Sequence, residues 1–100
     1  MLYQKTNTPY IGVFKLGSGE EFIGRVVEET AISYTIEKPR CLVPTQQGLQ
    51  FAPFMMLADQ GANVNIPKPV IHSTPAPAWS SAYETNITGI ALPQKSSIIS

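Results

Sequence analysis

Apolar and polar positions alternate between residues 10 and 57 in short runs separated by turn residues, which is the pattern of consecutive β-strands. The first strand is predicted over residues 10–16 and the second over residues 20–29, because Gly17-Ser18-Gly19 can turn the chain without steric cost. Gly24 lies within the second strand, where a glycine allows a sharp bend. These two strands predict the beginning of a small, strongly curved sheet.

The clearest alternation covers residues 32–38 and predicts a third strand with Ile32, Tyr34 and Ile36 facing the core. Prolines interrupt the strand-like residues 39–44 that follow. Because proline cannot donate a hydrogen bond to a neighbouring strand, this stretch is predicted as an edge or as a bent continuation of the third strand.

A fourth strand is predicted over residues 49–57 and a fifth over residues 63–66, with turn residues 59–62 between them. The fourth strand is apolar on both faces beyond Pro53. Two explanations fit this pattern in so small a chain. Either one face of the strand contacts a neighbouring subunit, or the C-terminal residues cover it.

The two ends of the chain carry weaker patterns. Residues 1–9 are predicted as a loose arm and residues 67–100 as an irregular, proline-rich extension. Within the extension the sequence predicts an irregular stretch at 72–77, one or two helical turns at 78–84, a last strand at 86–92 and a frayed tail at 95–100. Trp79 and Tyr83, four residues apart, are predicted to hold the extension against the sheet, with a pair that stacks on a ligand as the alternative. With no long helix, the 100-residue chain is predicted as one all-β domain with its core at residues 10–66.

Charge along the chain is sparse and balanced. Seven basic residues stand against seven acidic residues, and only 14% of the chain is charged. Proteins that grip nucleic acid over a broad surface carry a net positive charge, so this balance argues against such a surface. It is compatible with a small basic ring, in which one or two cations recur around a symmetric assembly.

Cysteine content and hydropathy bear on the compartment. Cys41 is the only cysteine, so an internal disulfide is excluded and a reducing compartment, the cytoplasm, is expected. The sequence contains no window of about 20 apolar residues, so no membrane span is predicted. The first residues lack the apolar stretch and cleavage site of a signal peptide.

The residues that carry chemistry do not form an enzyme signature. His72 is the only histidine and Asp59 the only aspartate, and no nucleophile motif accompanies them. Cys41 and His72 are the only soft metal ligands, so neither a metal site nor another cofactor is expected. Gly17-Ser18-Gly19 leads into a strand rather than a helix, which favours a hairpin over a phosphate-binding loop. The chain is therefore predicted not to be an enzyme.

The glycine spacing of the second strand resembles the first sequence motif of the Sm and LSm family. That motif has an apolar strand, a glycine, four residues, a second glycine and an apolar position two residues further on. Here its positions are filled by Val13, Leu16, Gly19, Gly24 and Val26. Where the family has an aspartate and, four residues later, an asparagine, this chain has Thr30 and Tyr34, or Ser33 if the loop is one residue shorter.

The second family motif, an apolar strand followed by arginine and glycine, resembles residues 55–64. Gly61 keeps the glycine, Gln60 stands in place of the arginine, and Asn63 fits a short polar position. A rival placement on Thr88-Gly89 leaves the fourth and fifth strands unexplained. The chain is also similar to short Sm-like proteins of marine-phage type, and the resemblance covers the predicted core.

The resemblance implies a strongly bent, five-stranded, SH3-like barrel. It also implies a homo-oligomeric ring in which the fourth strand of one copy pairs with the fifth strand of the next, which would remove the open strand edges that invite aggregation. The implied subunit contacts are Phe54, Met56, Val64 and Ile66.

Within the family such a ring holds single-stranded nucleic acid, so the resemblance implies binding of RNA, in preference to DNA, in nucleic-acid processing. The implied site combines two loops and two phosphate-contacting cations, namely Thr30, Ser33, Tyr34, Gln60, Gly61 and Asn63 with Lys38 and Arg40. Tyr34 either stacks on a base or lies in the core. The alternative function is that of a phage structural or adaptor protein that binds other proteins. If a phage encodes the chain, the expected location is the cytoplasm of the host cell.

Overall fold

A computed structural model describes the backbone of residues 4–89 and the side chains of residues 8–89. Its elements are six strands and one helix: β1 (Gln4–Lys15), β2 (Glu21–Glu29), β3 (Ser33–Thr45), β4 (Gly48–Pro53), β5 (Val64–Pro67), β6 (Ile71–Ser73) and α1 (Pro77–Thr88). All the strand pairs are antiparallel. The predicted all-β, barrel-like class is confirmed, with six strands where five were predicted.

The strands form one sheet in the order β4-β3-β2-β1-β6, and β5 also pairs with β3. Because β2 occupies one edge of β3, β4 and β5 share its other edge. β4 pairs with residues 40–45 of β3, and β5 pairs with residues 33–36. β4 and β5 therefore run along β3 as a single interrupted strand, and residues 54–63 form the loop between its two parts.

β3 bends at a bulge opposite Gly24. Arg25 pairs with Glu37 while Ile23 pairs with Arg40, so two residues, Lys38 and Pro39, stand opposite one. Lys38 has a positive φ of 48°, which a bulge tolerates better than a regular strand. The predicted bent continuation of the third strand beyond Pro39 is thus confirmed.

The bulge also exchanges the two faces of β3. Tyr34 and Ile36 point to the face that we call inner, and Cys41 is the next β3 side chain packed against the same core. The inner face carries the core of the chain, which consists of Phe14, Phe22, Val26, Tyr34, Ile36 and Ile66. The Phe14 and Phe22 rings stack with centroids 5.2 Å apart.

Two paired glycines make space on the inner face. Gly12 of β1 lies directly opposite Gly24 of β2. A Cβ added to Gly24 would lie 2.3 Å from Cγ2 of Ile36, and one added to Gly12 would lie 2.7 Å from Nε2 of His72. Ile36 and the His72 ring occupy the space that side chains at these two positions would fill, so both positions require glycine.

Helix α1 packs on the opposite face of the sheet, which we call outer. Proline at its first turn favours its start, and its C-cap Gly89 has φ 72° and donates its N–H to the Thr85 carbonyl. Tyr83 is the buried residue of this helix, and its hydroxyl donates to the carbonyls of Glu37 (3.1 Å) and Lys38 (2.8 Å). These hydrogen bonds attach the helix to the sheet, as predicted for Tyr83, and they also stabilise the bulge.

Several boundaries differ from the predicted ones at the start of the chain and after the fourth strand. Residues 4–9 belong to β1 rather than to a loose arm, because Gln4 and Lys5 pair with β2. Pro9 lies where the ladder is interrupted, between the paired residues Lys5 and Tyr10, so its missing N–H costs no hydrogen bond there. Strand β4 ends at Pro53, and the predicted continuation to Leu57 is wrong, because the chain leaves β3 at the bulge.

Further differences lie in the C-terminal part and in the third strand. Ile71–Ser73 forms strand β6 where an irregular stretch was predicted, since three residues are too few for a visible alternation. Helix α1 extends to Thr88, so the last strand predicted from residue 86 is wrong over residues 86–88. Ile32, predicted to face the core, is 73% exposed because it lies in the turn before β3. The predictions for residues 1–3, 90–92 and 95–100 fall outside the described residues.

Candidate functional site

The predicted loop at residues 30–34 is held together by its own side chains. Thr30 Oγ1 accepts hydrogen bonds from the backbone N–H groups of Ile32 (3.2 Å) and Ser33 (3.1 Å), and lies 3.2 Å from Ser33 Oγ. This is the pattern of a threonine-stabilised turn. Both hydroxyl groups that were predicted to contact nucleic acid therefore have partners within the turn.

Tyr34, for which base stacking and core packing were both considered, lies in the core. It is 9% exposed, and its ring meets that of Phe14 edge-on with centroids 5.1 Å apart. Nζ of Lys68 lies 4.6 Å from the centroid of the Tyr34 ring. Little of the ring is accessible to a base in a single copy of the chain.

The second predicted loop is also internally bonded. Gln60 Nε2 donates to the carbonyls of Met55 (3.1 Å) and Ala58 (2.7 Å), and the Gly61 N–H donates to Asp59 Oδ1 (2.9 Å). Gln60 thus serves to order its own loop. Asn63 is exposed at the end of the loop.

One copy of the chain does not bring the two predicted loops together. Ser33 pairs with Pro67, and Ile36 pairs with Val64, so Asn63 lies near Glu37. Four residues of extended chain separate Ser33 from Glu37, a distance of about 13 Å. A nucleic-acid site that used both loops would therefore have to span this distance on the surface.

The residues predicted as subunit contacts divide between the core and the surface. Ile66 is buried, Val64 packs against the same core, and Phe54 stacks on Phe22 at 4.4 Å. Met56 is 73% exposed and lies between two other exposed apolar residues, Met55 and Leu57. We call residues 55–57 the apolar tip.

Three strands have an open edge within the described residues. β4 and β5 each pair only with β3, and β6 pairs only with β1. At the two ends of the strand order the open edge carries an exposed large apolar side chain, Leu49 on β4 and Ile71 on β6. β6, rather than β5, thus occupies the far end of the sheet from β4.

Lys38 and Arg40, predicted as phosphate contacts, lie at the bulge and just beyond it. Arg40 Nε donates to Asn86 Oδ1 of helix α1 (3.1 Å), and Nη1 donates to the Pro39 carbonyl (3.3 Å). Among the side chains that the structure describes, neither cation forms an ion pair, whereas Arg25 on the same strand pair bonds to Glu37 at 3.5 Å. Arg40 is therefore a guanidinium held by two hydrogen bonds, without an ion pair among the described side chains.

Arg40 lines a cleft of about 550 Å³ on the outer face, which we call the outer cleft. Cross-strand pairing places Val13, Ile23 and Arg40 in one row across β1, β2 and β3. Leu42 and Phe51 form the next pair, on β3 and β4. The segment from Ser73 to Trp79 forms another wall. The cleft thus combines an apolar floor with a cation.

Two aromatic side chains stand in the outer cleft. The rings of Phe51 and Trp79 meet edge to face, with centroids 6.0 Å apart and an interplanar angle of 84°. Trp79 is 42% exposed, so part of its indole is open to a ligand. A partly open aromatic face that shares a cleft with a guanidinium is a suitable arrangement for a flat ring that carries an anionic group.

Burial affects the tyrosine behind this cleft. Tyr83 is fully buried and contacts Phe51, with ring centroids 6.2 Å apart. Loss of solvent around its hydroxyl raises the pKa of Tyr83. The hydroxyl therefore stays protonated and continues to donate to the two bulge carbonyls.

A second polar cluster lies on the inner face, around Glu29. The Tyr10 hydroxyl donates to Glu29 Oε1 (3.1 Å), and Lys68 Nζ donates to Oε2 (2.7 Å). The hydrogen bond from Lys68 lowers the pKa of the Glu29 carboxyl. Burial, together with the Glu29 charge, raises the pKa of Tyr10 to about 12. We call this arrangement the Glu29 clasp, because it ties the β5–β6 connection to β1 and β2.

His72 packs beside the Glu29 clasp. Its ring stacks on Phe14 with centroids 4.7 Å apart, and Tyr34 lies at 5.2 Å.

No group of three or more His, Cys, Asp or Glu within the described residues is arranged to hold a metal ion. The described helix is too short to cross a membrane.

Sequence reasoning found Arg40 but missed its neighbours Phe51, Trp79 and Glu21 as members of one cleft. Each of them lies on a different element, β4, α1 or β2. Residues of β4 that alternate in sequence face opposite sides of the sheet, so the sequence could have shown that Phe51 and Leu49 share a face. No local pattern predicts that helix α1 packs against that face. The fold and the cleft together define a small all-β protein with an aromatic-walled cleft on its outer face. No protein-family model and no curated protein matches the chain.

Proposed function

We propose that this chain is a binding module without catalytic activity, which assembles with copies of itself into an Sm-like ring and holds single-stranded nucleic acid, RNA in preference to DNA. The observation that carries the proposal is the position of Arg40 in the outer cleft beside Phe51 and Trp79. Aromatic rings stack on bases of any sequence, and a guanidinium binds phosphate through paired N–H groups.

Self-assembly explains how a neutral chain would bind a polyanion. The cleft of each copy contributes the Arg40 guanidinium, and a ring repeats that cation around its circumference. The open edges of β4 and β6 lie at opposite ends of the sheet order, as a head-to-tail contact requires. Pairing them would satisfy the backbone groups of both edges.

Salt dependence of binding tests the role of Arg40. A fluorescent single-stranded RNA should bind more weakly as salt rises, because binding to phosphates releases counterions. Arg40→Ala should weaken binding about tenfold at low salt, since a charge-assisted hydrogen bond is lost. It should also flatten the slope of log K against log salt by about 0.7 for each phosphate contact removed.

Arg25→Ala is the matched control for this measurement. Arg25 carries the same charge and pairs with its neighbour on the adjacent strand, but it is already bonded to Glu37. Its replacement should change RNA binding little. Absence of RNA binding by the wild-type protein at low salt would rule out the proposed ligand.

A second candidate function is that of an adaptor that binds other proteins, and the apolar tip favours it. Three consecutive large apolar residues, Met55, Met56 and Leu57, are exposed in one loop, and exposed apolar patches mark interaction sites. Binding through these residues would respond little to salt. A partner whose binding is unchanged by salt but lost in Met56→Lys would favour this function over nucleic-acid binding.

A further inference from the structure

The outer cleft contains a carboxylate as well as a cation. Glu21 lies two residues before Ile23 on β2, so its side chain points to the same outer face. It forms no ion pair within the part of the chain that the structure describes, and it pairs across the strands with Lys15 without a salt bridge to it. Glu21 therefore contributes to the lining of the cleft a carboxylate that has no ion pair among the described residues.

Strand pairing between β2 and β3 sets the spacing between Glu21 and Arg40. Ile23 lies directly opposite Arg40, which makes Glu21 the diagonal neighbour of Arg40 at about 7–8 Å between backbone positions. The lining of the cleft thus includes an acceptor, a cation and two aromatic side chains, Phe51 of β4 and Trp79 of α1. A nucleotide presents groups that match each of these, namely the pairing edge of its base, its phosphate and the flat face of the base.

We infer that the outer cleft selects guanine within a single strand, with Glu21 binding the base edge, Trp79 stacking on the base and Arg40 binding the phosphate. This inference rests on the proposed function. The Watson–Crick edge of guanine presents two adjacent N–H donors, N1–H and N2–H, and it is the only base edge that does so. An ionised carboxylate only accepts hydrogen bonds, so its two oxygens match that pair of donors.

The other bases fit Glu21 less well. Uracil, cytosine and adenine each place an acceptor beside their donor on the Watson–Crick edge. A carboxylate oxygen facing such an acceptor is repelled and left without a hydrogen bond. Discrimination by a bidentate pair of this kind corresponds to about tenfold in affinity.

Single substitutions in the ligand test the inference without changing the protein. The probes are five-nucleotide RNAs of adenines with guanine, inosine, uracil or cytosine at the central position, compared with the all-adenine strand by fluorescence anisotropy. Guanine should bind about tenfold more tightly than the others. Inosine, which lacks the N2 amino group, should lose most of that advantage.

Glu21→Gln provides the protein side of the test. The amide replaces one acceptor oxygen by a donor, so the ratio of guanine-strand to all-adenine-strand affinity should fall to about one. Glu20→Gln is the matched control, because Glu20 precedes β2, is exposed and does not line the cleft. It should keep the preference. Thermal unfolding followed by circular dichroism checks that both variants are folded.

Each outcome separates the inference from the proposed function. Equal binding of all strands, or a guanine preference that survives Glu21→Gln, would overturn the inference and leave the proposed function standing. Failure of every strand to bind would overturn both. Competition by guanosine monophosphate as effective as that by the guanine-containing strand would show a free-nucleotide site and would contradict the inferred single-strand ligand.

Discussion

Gly24 illustrates how a single residue controls the curvature of the sheet. It stands opposite the β3 bulge, and the space where its Cβ would lie is taken by the buried side chain of Ile36. Pro39 and the positive φ of Lys38 make the same part of β3 irregular. The bend therefore depends on the absence of a side chain on one strand and on an extra residue in the other.

Gly24→Ala should destabilise the fold by about 1–3 kcal/mol, because the added methyl group overpacks the core against Ile36. Urea unfolding followed by tryptophan fluorescence measures the change as a lower midpoint at constant slope. Gly17→Ala is the control, since a Cβ at that turn position meets no atom within 4 Å. Equal midpoints for the two variants would show that the contact with Ile36 does not limit stability.

At the scale of elements, the Glu29 clasp connects segments that are distant along the chain. Tyr10 of β1, Glu29 of β2 and Lys68 of the β5–β6 connection meet at one carboxylate. The network also brings the Lys68 ammonium over the Tyr34 ring. It holds β6 in place against β1, where β6 itself contributes only three paired residues.

Acid should weaken this clasp. Because folding lowers the pKa of Glu29, its contribution to stability is present above the ordinary carboxyl pKa and is lost as pH falls through the lower, folded value. The free energy of unfolding should fall between about pH 6 and about pH 3 by a larger amount in the wild type than in Lys68→Met. Since the Glu29 side chain is 40% exposed, the difference should be small, about 0.2–1 kcal/mol.

Lys15→Met serves as the control for the acid titration. Lys15 is an exposed lysine with no ion pair in the described part of the chain. Its variant should show the same acid response as the wild type. If Lys68→Met also matched the wild type across this range, the Lys68–Glu29 pair would not be the source of the response.

At the scale of the whole molecule, the sheet is unfinished at both ends. β4 and β6 each pair on one side only within the described residues, and exposed apolar side chains lie along both. A chain of 100 residues buries a limited fraction of its surface by itself. Contact between copies would cover these edges.

Sedimentation velocity should therefore detect an oligomer. Leu49→Lys on β4 and Ile71→Lys on β6 should each weaken association about tenfold or more, because a lysine on an edge opposes strand pairing. Ile32→Lys is the control, since Ile32 is at least as exposed as Leu49 and Ile71 but lies in the β2–β3 turn. A monomer at all concentrations of the wild-type protein would contradict the proposed ring.

Local patterns in the sequence determined the strands near Gly17-Ser18-Gly19, the bend after residue 38 and the all-β class. They did so because alternation, glycine turns and proline interruptions act on neighbouring residues. The same patterns wrongly predicted an irregular stretch where β6 lies and a core position for Ile32. Alternation reports which residues share a face of one strand, but not where that strand ends.

Only the tertiary structure decided which residues form the cleft and which face of β3 they occupy. The bulge at Lys38 and Pro39 exchanges the inner and outer positions, and so directs Arg40 towards helix α1. Glu21 and Trp79 then meet in the same cleft although they lie far apart in the chain. Such proximity results from strand pairing and from the docking of Tyr83, which are long-range interactions that no local period encodes.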